Sequence, residues 1–380
     1  VTGAIAKGKF NRHVFQGLEG NQGPYRLQGP NGELFFIVLA GTERVFIDGE
    51  LMQRGEDQDY VINYNTAEIT FTPRRMITKD RRIQVEFEYA DRNFLNSQFI
   101  VGNELKVNEK FTVRVNAFSN SDSKNTSVNQ VLNTEQKQFL FDVGDKVETA
   151  LYPSTMRDTF AANRIVYRMV DSVVNSITYD SVLVYTTTDQ PQVFSAAFID
   201  VGEGNGDYVQ EVSGANGRTF KWLAPENGIR KGRFVPAVRL VAPRTQQMIT
   251  VGGDYQVNKH LLLKSELAIS RLDVNTFSRK DKNNDDGIAG RMLFQYSNQF
   301  KGKPKKPLEY KVTGGYEFVQ DRFRALERLR AVEFTREWGL PIFLQQEKEQ
   351  IINAGLELNR GREHKFSYAI QSYQRGSLFN

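Results

Sequence analysis

The stretch Gln247-Met248-Ile249-Thr250-Val251-Gly252-Gly253-Asp254-Tyr255-Gln256-Val257, the turn Asn258-Lys259-His260, and Leu261-Leu262-Leu263-Lys264-Ser265-Glu266-Leu267-Ala268-Ile269-Ser270 decide the fold class. In the first half Ile249, Val251, Gly253, Tyr255 and Val257 alternate with Thr250, Gly252, Asp254 and Gln256. In the second, Leu261, Leu263, Leu267 and Ile269 alternate with Lys264 and Glu266. A period of two sends successive side chains to opposite faces of a sheet. The pattern therefore predicts two antiparallel strands of about ten residues with one apolar and one wet face. Two architectures share it: the wall of a transmembrane β-barrel, whose tilted strands cross hydrocarbon in about ten residues, and a large soluble sheet with one buried face.

Three more pairs repeat the build. Phe99, Val101 and Leu105 precede the turn Val107-Asn108-Glu109-Lys110, and Phe111, Val113, Val115 and Ala117 follow it. Met292, Phe294 and Tyr296 answer Tyr310, Val312, Gly314, Tyr316 and Phe318 across the lysine-rich connection 301–307. Ile352, Ala354, Leu356 and Leu358 answer Phe366, Tyr368 and Ile370 across 359–363. No internal repeat of a solenoid's length accompanies them. The expected fold is all-β, an antiparallel hairpin wall read as part of an outer-membrane β-barrel, with an N-terminal β-module and a small inserted β-domain.

Composition bounds the function. The formal charge is +5, from 50 basic and 45 acidic residues; spread over 380 residues, that excess does not mark a nucleic-acid protein. Phe (27) and Tyr (15) dominate an aromatic share of 12%, as suits strands and membrane-interface girdles. No apolar run approaches the roughly 18 residues of a membrane helix, which a barrel does not need. With no cysteine there is neither disulfide nor thiolate chemistry.

Between the hairpins the chain divides as follows. Residues 1–10 read as a barrel-type strand, 11–92 as a compact β-module, 93–119 as the first hairpin, 120–246 as an inserted helix-plus-β domain, and 247–380 as the remaining hairpins with a charged loop at 322–349. The module's strands are Leu34 to Leu39, Arg44 to Ile47, Tyr60 to Asn63, Glu68 to Phe71 and Arg82 to Tyr89, with Asp48-Gly49 and Tyr64 to Ala67 as turns. Turns rich in Gly, Pro and Asn flank Tyr25 to Leu27 at 21–24 and 29–32. In the insertion Asn133 opens a helix on which Phe139, Val143 and Val147 share a face, with Gly144 as an early stop. Strands follow at Ser181 to Thr186, Val193 to Val201, Tyr208 to Val212 and Arg218 to Trp222. Barrels keep short turns at the periplasmic end and long loops outside, so 11–92, 120–246, 271–288 and 322–349 are expected on the cell exterior. Val1 follows no signal peptide, and Gly3 to Phe10 reads as the second half of an upstream hairpin, so the chain reads as a segment of nine wall strands.

Glu19-Gly20-Asn21-Gln22-Gly23-Pro24-Tyr25-Arg26-Leu27, with Gly41-Thr42-Glu43-Arg44-Val45-Phe46-Ile47-Asp48-Gly49 and Asp59-Tyr60-Val61-Ile62-Asn63-Tyr64-Asn65, resembles large uncharacterised envelope proteins of the Bacteroidota. Val201-Gly202-Glu203-Gly204-Asn205-Gly206-Asp207-Tyr208 and Glu333-Phe334-Thr335-Arg336-Glu337-Trp338 look like further blocks of that group. The first block is also similar to short modules in the translocon barrel of the type 9 secretion system. The resemblance implies an outer-membrane-associated β-protein and carries no activity to single residues.

Candidate sites are few. Asp281, Asn283 and Asp285 place oxygen ligands at alternate positions, as a calcium loop does, although Asp286 stands where an EF-hand has Gly and Met292 where it has Glu; the competing reading is an ordinary Asx-rich turn. Gly202 to Gly206 precedes a strand rather than a helix, which makes it a hairpin turn and not a phosphate cradle. In the charged loop, Arg328, Arg330, Arg336 and Trp338 form a candidate surface for an anionic or sugar ligand; the competing reading is an ion-pair network that fixes the loop over a barrel mouth. His13, His260 and His364 lie far apart and form no metal spacing. No catalytic group stands out, so an enzyme, conceivable as a polysaccharide-cleaving one, is the least favoured reading. The expectation is a structural, transport or secretion role at the cell surface, with outer-membrane lipid and envelope or secretion-system proteins as partners. The alternative is a soluble extracellular β-protein that binds glycans.

Overall fold

The computed structural model describes residues 2–4, 8–29, 36–90, 94–127, 131–161, 164–212, 217–300, 307–341, 346–361 and 364–376. The turn at 30–32, the start of the strand expected at 34–39, the lysine connection at 301–306, part of the turn at 359–363 and the C-terminal 378–380 lie outside these. The chain is all-β and antiparallel and forms two compact units, Leu132–Val241 and the remainder.

The larger unit is organised by a nine-stranded sheet. Its strands are β1 (Thr2–Ala4), β2 (Phe94–Asn108), β3 (Phe111–Ser127), β4 (Thr245–Gln256), β5 (Leu261–Asp273), β6 (Asp286–Gln299), β7 (Leu308–Val319), β8 (Glu349–Arg360) and β9 (His364–Arg375). Each pairs antiparallel with the next, and the sheet stays open among the described residues, with β1 and β9 at its edges. The alternation that predicts the strands also fixes their register. Val115 stands opposite Val251, Val251 opposite Leu267, and Leu267 opposite Gly290. Phe111, Tyr255, Leu263, Phe294, Gly314, Ala354 and Ile370 form a parallel row on the same face. The short connections 109–110, 257–260, 300–307 and 361–363 share one end of the sheet, and the long excursions 5–93, 128–244, 274–285 and 320–348 share the other.

One boundary differs from expectation. The strand expected over Gly3 to Phe10 is two strands: Thr2–Ala4 pairs with the wall, whereas Lys9 begins a strand, Lys9–Gln16, that pairs with Arg82–Ala90 in the module. Phe118 lies on the charged face of the wall, since its partner Met248 shares the register of Thr250 and Asp254.

The module is a sandwich of two small sheets. Lys9–Gln16, Arg82–Ala90, Arg44–Ile47 and Glu50–Leu51 lie side by side, with Ile37–Val38 also on Arg82–Ala90; Tyr25–Arg26, Glu68–Phe71 and Tyr60–Asn63 make the second sheet. Ile83, Val85, Phe87 and Tyr89 point inward against Leu27, Ile69, Phe71 and Ile77, all buried. Asp48 and Gly49 turn between two strands with φ of 49° and 85°, a conformation that Asp tolerates and Gly adopts freely.

In the Leu132–Val241 unit, Asn133 caps α1 (Thr134–Val143) through a capping box with Gln136, and Gly144 ends it at φ 68°. Of the expected apolar face, Phe139 packs on Tyr152 at 5.4 Å, but the buried residue of the helix is Leu140. Two four-stranded sheets follow. The strand expected over Val193 to Val201 is interrupted: Val193–Ser195 belongs to one sheet and Ile199–Asp200 to the other. Phe198, in the gap, stacks on Phe220 at 4.3 Å and joins a core with Tyr167 and Tyr208. Both tyrosine hydroxyls accept backbone N–H groups, from Phe220 and Leu183, which satisfies them inside an aromatic core; burial pushes Tyr167 up to about 12. The Gly202–Gly206 turn precedes Tyr208–Glu211, and Gly206 meets Gly232 in a backbone bridge where a side chain would strike the Phe234 backbone.

Truncation of the buried Phe87 to Ala should destabilise the module by about 3–5 kcal/mol, read from the urea midpoint. Burial holds His13 neutral, with its pKa pushed down to about 4. The unfolded chain takes up that proton first, near 6.5, so module stability should fall as pH drops from about 6.5 to about 4 and then level off. His13→Gln should flatten that part of the profile; an unchanged profile would put the acid sensitivity elsewhere.

Candidate functional site on the charged face of the wall

The register that gathers the apolar rows gathers charges on the opposite face. Arg114 stands opposite Gly252, which leaves its guanidinium room to reach Asp254 in two contacts of 2.6 and 3.2 Å. Glu104 lies 3.9 Å from Arg114, and Lys264 lies 3.7 Å from Asp254. One step along, Arg291 holds Glu266 at 2.6 Å. The face thus carries neighbouring opposite charges from strand to strand, with a partner for each member of these rows.

At the end of the long excursions this face is covered. Residues 320–325 lie flat on β4 to β6: the backbone N–H of Gln320 donates to the Ile288 carbonyl at 2.9 Å, and that of Arg324 donates to Ser270 Oγ at 2.9 Å. Phe323 enters a small apolar cluster with Ala289, Val319, Met248 and Ala268. Its approach requires Gly287, where any Cβ would strike the Arg322–Phe323 backbone. Further on, Phe334, Trp338 and Leu340 pack over Ile351 and Tyr373 on β8 and β9. We call residues 320–341 the plug.

Each residue of the candidate ligand surface has a partner inside the chain. Arg330 pairs with Glu317 and, at 2.9 Å, with Glu349, and lies over the Phe334 ring at 5.3 Å. Burial pulls its pKa down, and the two carboxylates more than restore it. Arg328 reaches the module, 2.8 Å from the buried Glu86 and 5.5 Å over the Phe46 ring. Arg336 lies 3.3 Å from Asp48 and 3.5 Å from Glu333. Burial pushes the Asp48 carboxyl up, but hydrogen bonds from Arg81 and the Arg82 N–H, with the charges of Arg336 and Arg81, leave it below the usual range. Trp338 packs on Tyr373 at 5.3 Å and Phe334 at 6.1 Å. The structure brings all four together on one loop, but aimed at different parts of the fold rather than at one point.

The calcium candidates fall on one tight turn. Asp281 begins a single 3-10 turn at φ 59°, and Asn283 lies exposed within it. Asp285 is buried 3.9 Å from the Lys282 ammonium, which also holds Asp273 at 2.6 Å. Among the described residues no three His, Cys, Asp or Glu side chains gather as a metal site would require. His13 is in the module, while His260 caps a wall turn with its Nδ1 2.9 Å from the Ser297 carbonyl.

One buried cluster escapes sequence reasoning. Lys9 Nζ lies 2.8 Å from Asp122 Oδ2, with side chains 5% and 1% exposed. Asp122 also accepts the Arg244 N–H at 3.1 Å and the Asn96 amide at 2.8 Å. The members lie in four separate stretches of chain, so no local pattern announces them. Similarly, Gln84 and Glu86 alternate with apolar neighbours as a solvent face does, yet both are buried.

Residues 10–91 match the model of a domain of unknown function (DUF8818). No curated protein matches the chain, and no solved structure does.

Replacing Gly287 with Val should lift the plug from β6, and trypsin should then cut at Arg322 and Arg324 well before it does in the parent chain. Arg330→Ala leaves Glu317 and Glu349 facing one another without their cation. The half-buried setting predicts a loss of about 2–4 kcal/mol in equilibrium unfolding.

Proposed function

We propose that the nine-stranded sheet is wall of an outer-membrane β-barrel, and that the protein serves a structural, transport or secretion role in the cell envelope. The observation that carries this reading is an inversion of coverage. In a soluble sheet the apolar face is the covered one. Here the plug covers the charged face at the end of the long excursions, while on the other face Ile249, Val251, Leu267, Ile269, Met292, Phe294, Ile352, Phe366 and Ile370 remain 42–58% exposed. The unrealised burial is about 1 kcal/mol per side chain. Over such a face it rivals the roughly 5–15 kcal/mol net stability of an entire domain. Lipid would supply what the chain does not.

The dimensions support the same reading. From Leu261 to Ile269 the apolar rows span eight residue steps, about 27 Å along the strand and about 21 Å in height at barrel tilt, near the ~25 Å of an outer-membrane band. Polar residues bound the band: Gln247, and the Arg271–Asp286 pair at 2.7 Å, mark its upper edge. Near the lower edge aromatics gather, with Tyr296 on Tyr310 at 6.0 Å, Phe300 on Tyr310 at 4.8 Å and Phe111 on Tyr255 at 5.9 Å. Such girdles flank the band of barrels. Among the described residues no helix is long and apolar enough to cross a membrane, and strands need none. On this reading the short turns face the periplasm, and the long excursions lie toward the exterior. A glycan-binding role would ask for an aromatic platform free to stack, and Trp338 is engaged with Tyr373.

Outer-membrane recovery with heat-modifiable migration on gels, and protease cleavage within 132–241 on intact cells, are the expected results; a freely soluble protein would end the proposal. Val251 and Thr250 are neighbours on opposite faces. Val251→Arg should cost about 2–4 kcal/mol in lipid, whereas Thr250→Arg, on the wet side, should cost little.

A further inference from the structure

We propose that the N-terminal module is a lid, anchored to the wall at Lys9–Asp122 and latched to the plug by Arg328–Glu86 and Arg336–Asp48, which swings off when the latch pairs are broken. That the lid closes a water-filled lumen rests on the barrel reading; the latch itself does not.

The two attachments differ in kind. At the anchor, Lys9 and Asp122 are 5% and 1% exposed, and Asp122 is further held by Asn96 and the Arg244 N–H. An ion pair closed off from water in this way is little affected by salt. At the latch, Arg328 is 27% exposed and Arg336 60%, against partners that are 6% and 20% exposed. Water and counterions reach these cations, so raised ionic strength weakens them. Contact is thus dry and fixed near the start of the module, and wetter and weaker farther from it.

The surface between lid and plug is also of a separable kind. Strand Arg82–Ala90 turns Ile83, Val85, Phe87 and Tyr89 into the module's own core. Its other side presents Gln84 and Glu86, joined by a 3.0 Å hydrogen bond, beside Phe46. Only this polar side meets Arg328. Permanent interfaces resemble a core cut in half, and this one does not: lifting the lid wets an amide, a carboxylate and one ring while the sandwich core stays intact. Gly49, at the turn beside Asp48, lets the side chain of Glu333 lie against its backbone, so the latch closes without a side chain in its way.

The chain has no cysteine, which allows a test by thiol labelling of the full-length protein. Gln84→Cys reports the lid face, and Val85→Cys, next to it on the same strand, reports the core. In an Arg328→Glu/Arg336→Glu background, maleimide should label position 84 about ten-fold faster or more, with position 85 unchanged; raising the salt on the parent latch should move the rate in the same direction. Equal acceleration at both positions would mean the module unfolds, and no acceleration at 84 would mean the pairs hold nothing; either overturns the lid. Planar-bilayer conductance of the same proteins separates the two proposals. Selective labelling with new conductance in the double variant supports both lid and lumen. Selective labelling with silent bilayers for every variant supports the lid and overturns the barrel reading.

Discussion

The hydrogen-bonded ladder of the wall commits every residue of eight long strands to one side or the other, and the rest of the structure depends on that commitment. Because the side-chain period is two, a slip of one residue between β4 and β5 would place Lys264 and Glu266 among Ile249 and Val251 and exchange the faces of everything beyond. The register is held by mutual agreement: each apolar row continues across several strands, and each charged row finds its counter-charge on the neighbouring strand or from the plug. Arg114 with Asp254 and Arg291 with Glu266 therefore act as register marks as well as solvated pairs. Their individual worth in water is small, but a slipped register would set both pairs among apolar side chains at once.

The plug follows from the same ladder. Small residues on the charged face, Ala268, Ser270, Gly287 and Ala289, form a shallow bed near the ends of β5 and β6, and there the backbone of the plug lies close to the sheet. Farther along, Glu317 and Glu349 extend toward the segment, and Arg330 answers both. The module is joined to this segment by Arg328–Glu86 and Arg336–Asp48 and to the wall by Lys9–Asp122, ion pairs whose cations run from 5% exposed at Lys9 to 60% at Arg336.

The sequence makes the wall legible because the period-two signal is repeated and long: Ile249 to Ile269 predicts its own pairing, and the turn at 258–260 lies where the polar run interrupts it. The Asp48-Gly49 turn and the Asn133 helix start are legible for a different reason, since each is a local choice with a known backbone demand. What is hidden is the identity of partners. Glu86 reads as solvent-facing because alternation says which side a residue takes and nothing about what covers that side. Arg328 and Glu86 are 242 positions apart, and among nine charged side chains in the plug sequence none is marked as the one that reaches the module. The break at Phe198 is hidden too: a bulky aromatic suits a continuing strand as well as the core between two sheets.

The strands that close each large excursion have a further consequence for how the chain assembles. In the Leu132–Val241 unit, Leu151–Pro153 pairs with Ala237–Arg239, and Leu240 donates to the Ala150 carbonyl at 2.9 Å. In the module, Lys9 stands opposite Tyr89. Each excursion thus has a tied neck that brings its two exits together. Pairing β3 with β4 across residues 128–244 would otherwise require closing a long disordered loop, the kind of distant contact that slows β-folding. Once the neck is tied, β3 and β4 are kinetically near neighbours, and a wall interrupted by two large inserts can zip up almost as if it were a plain meander.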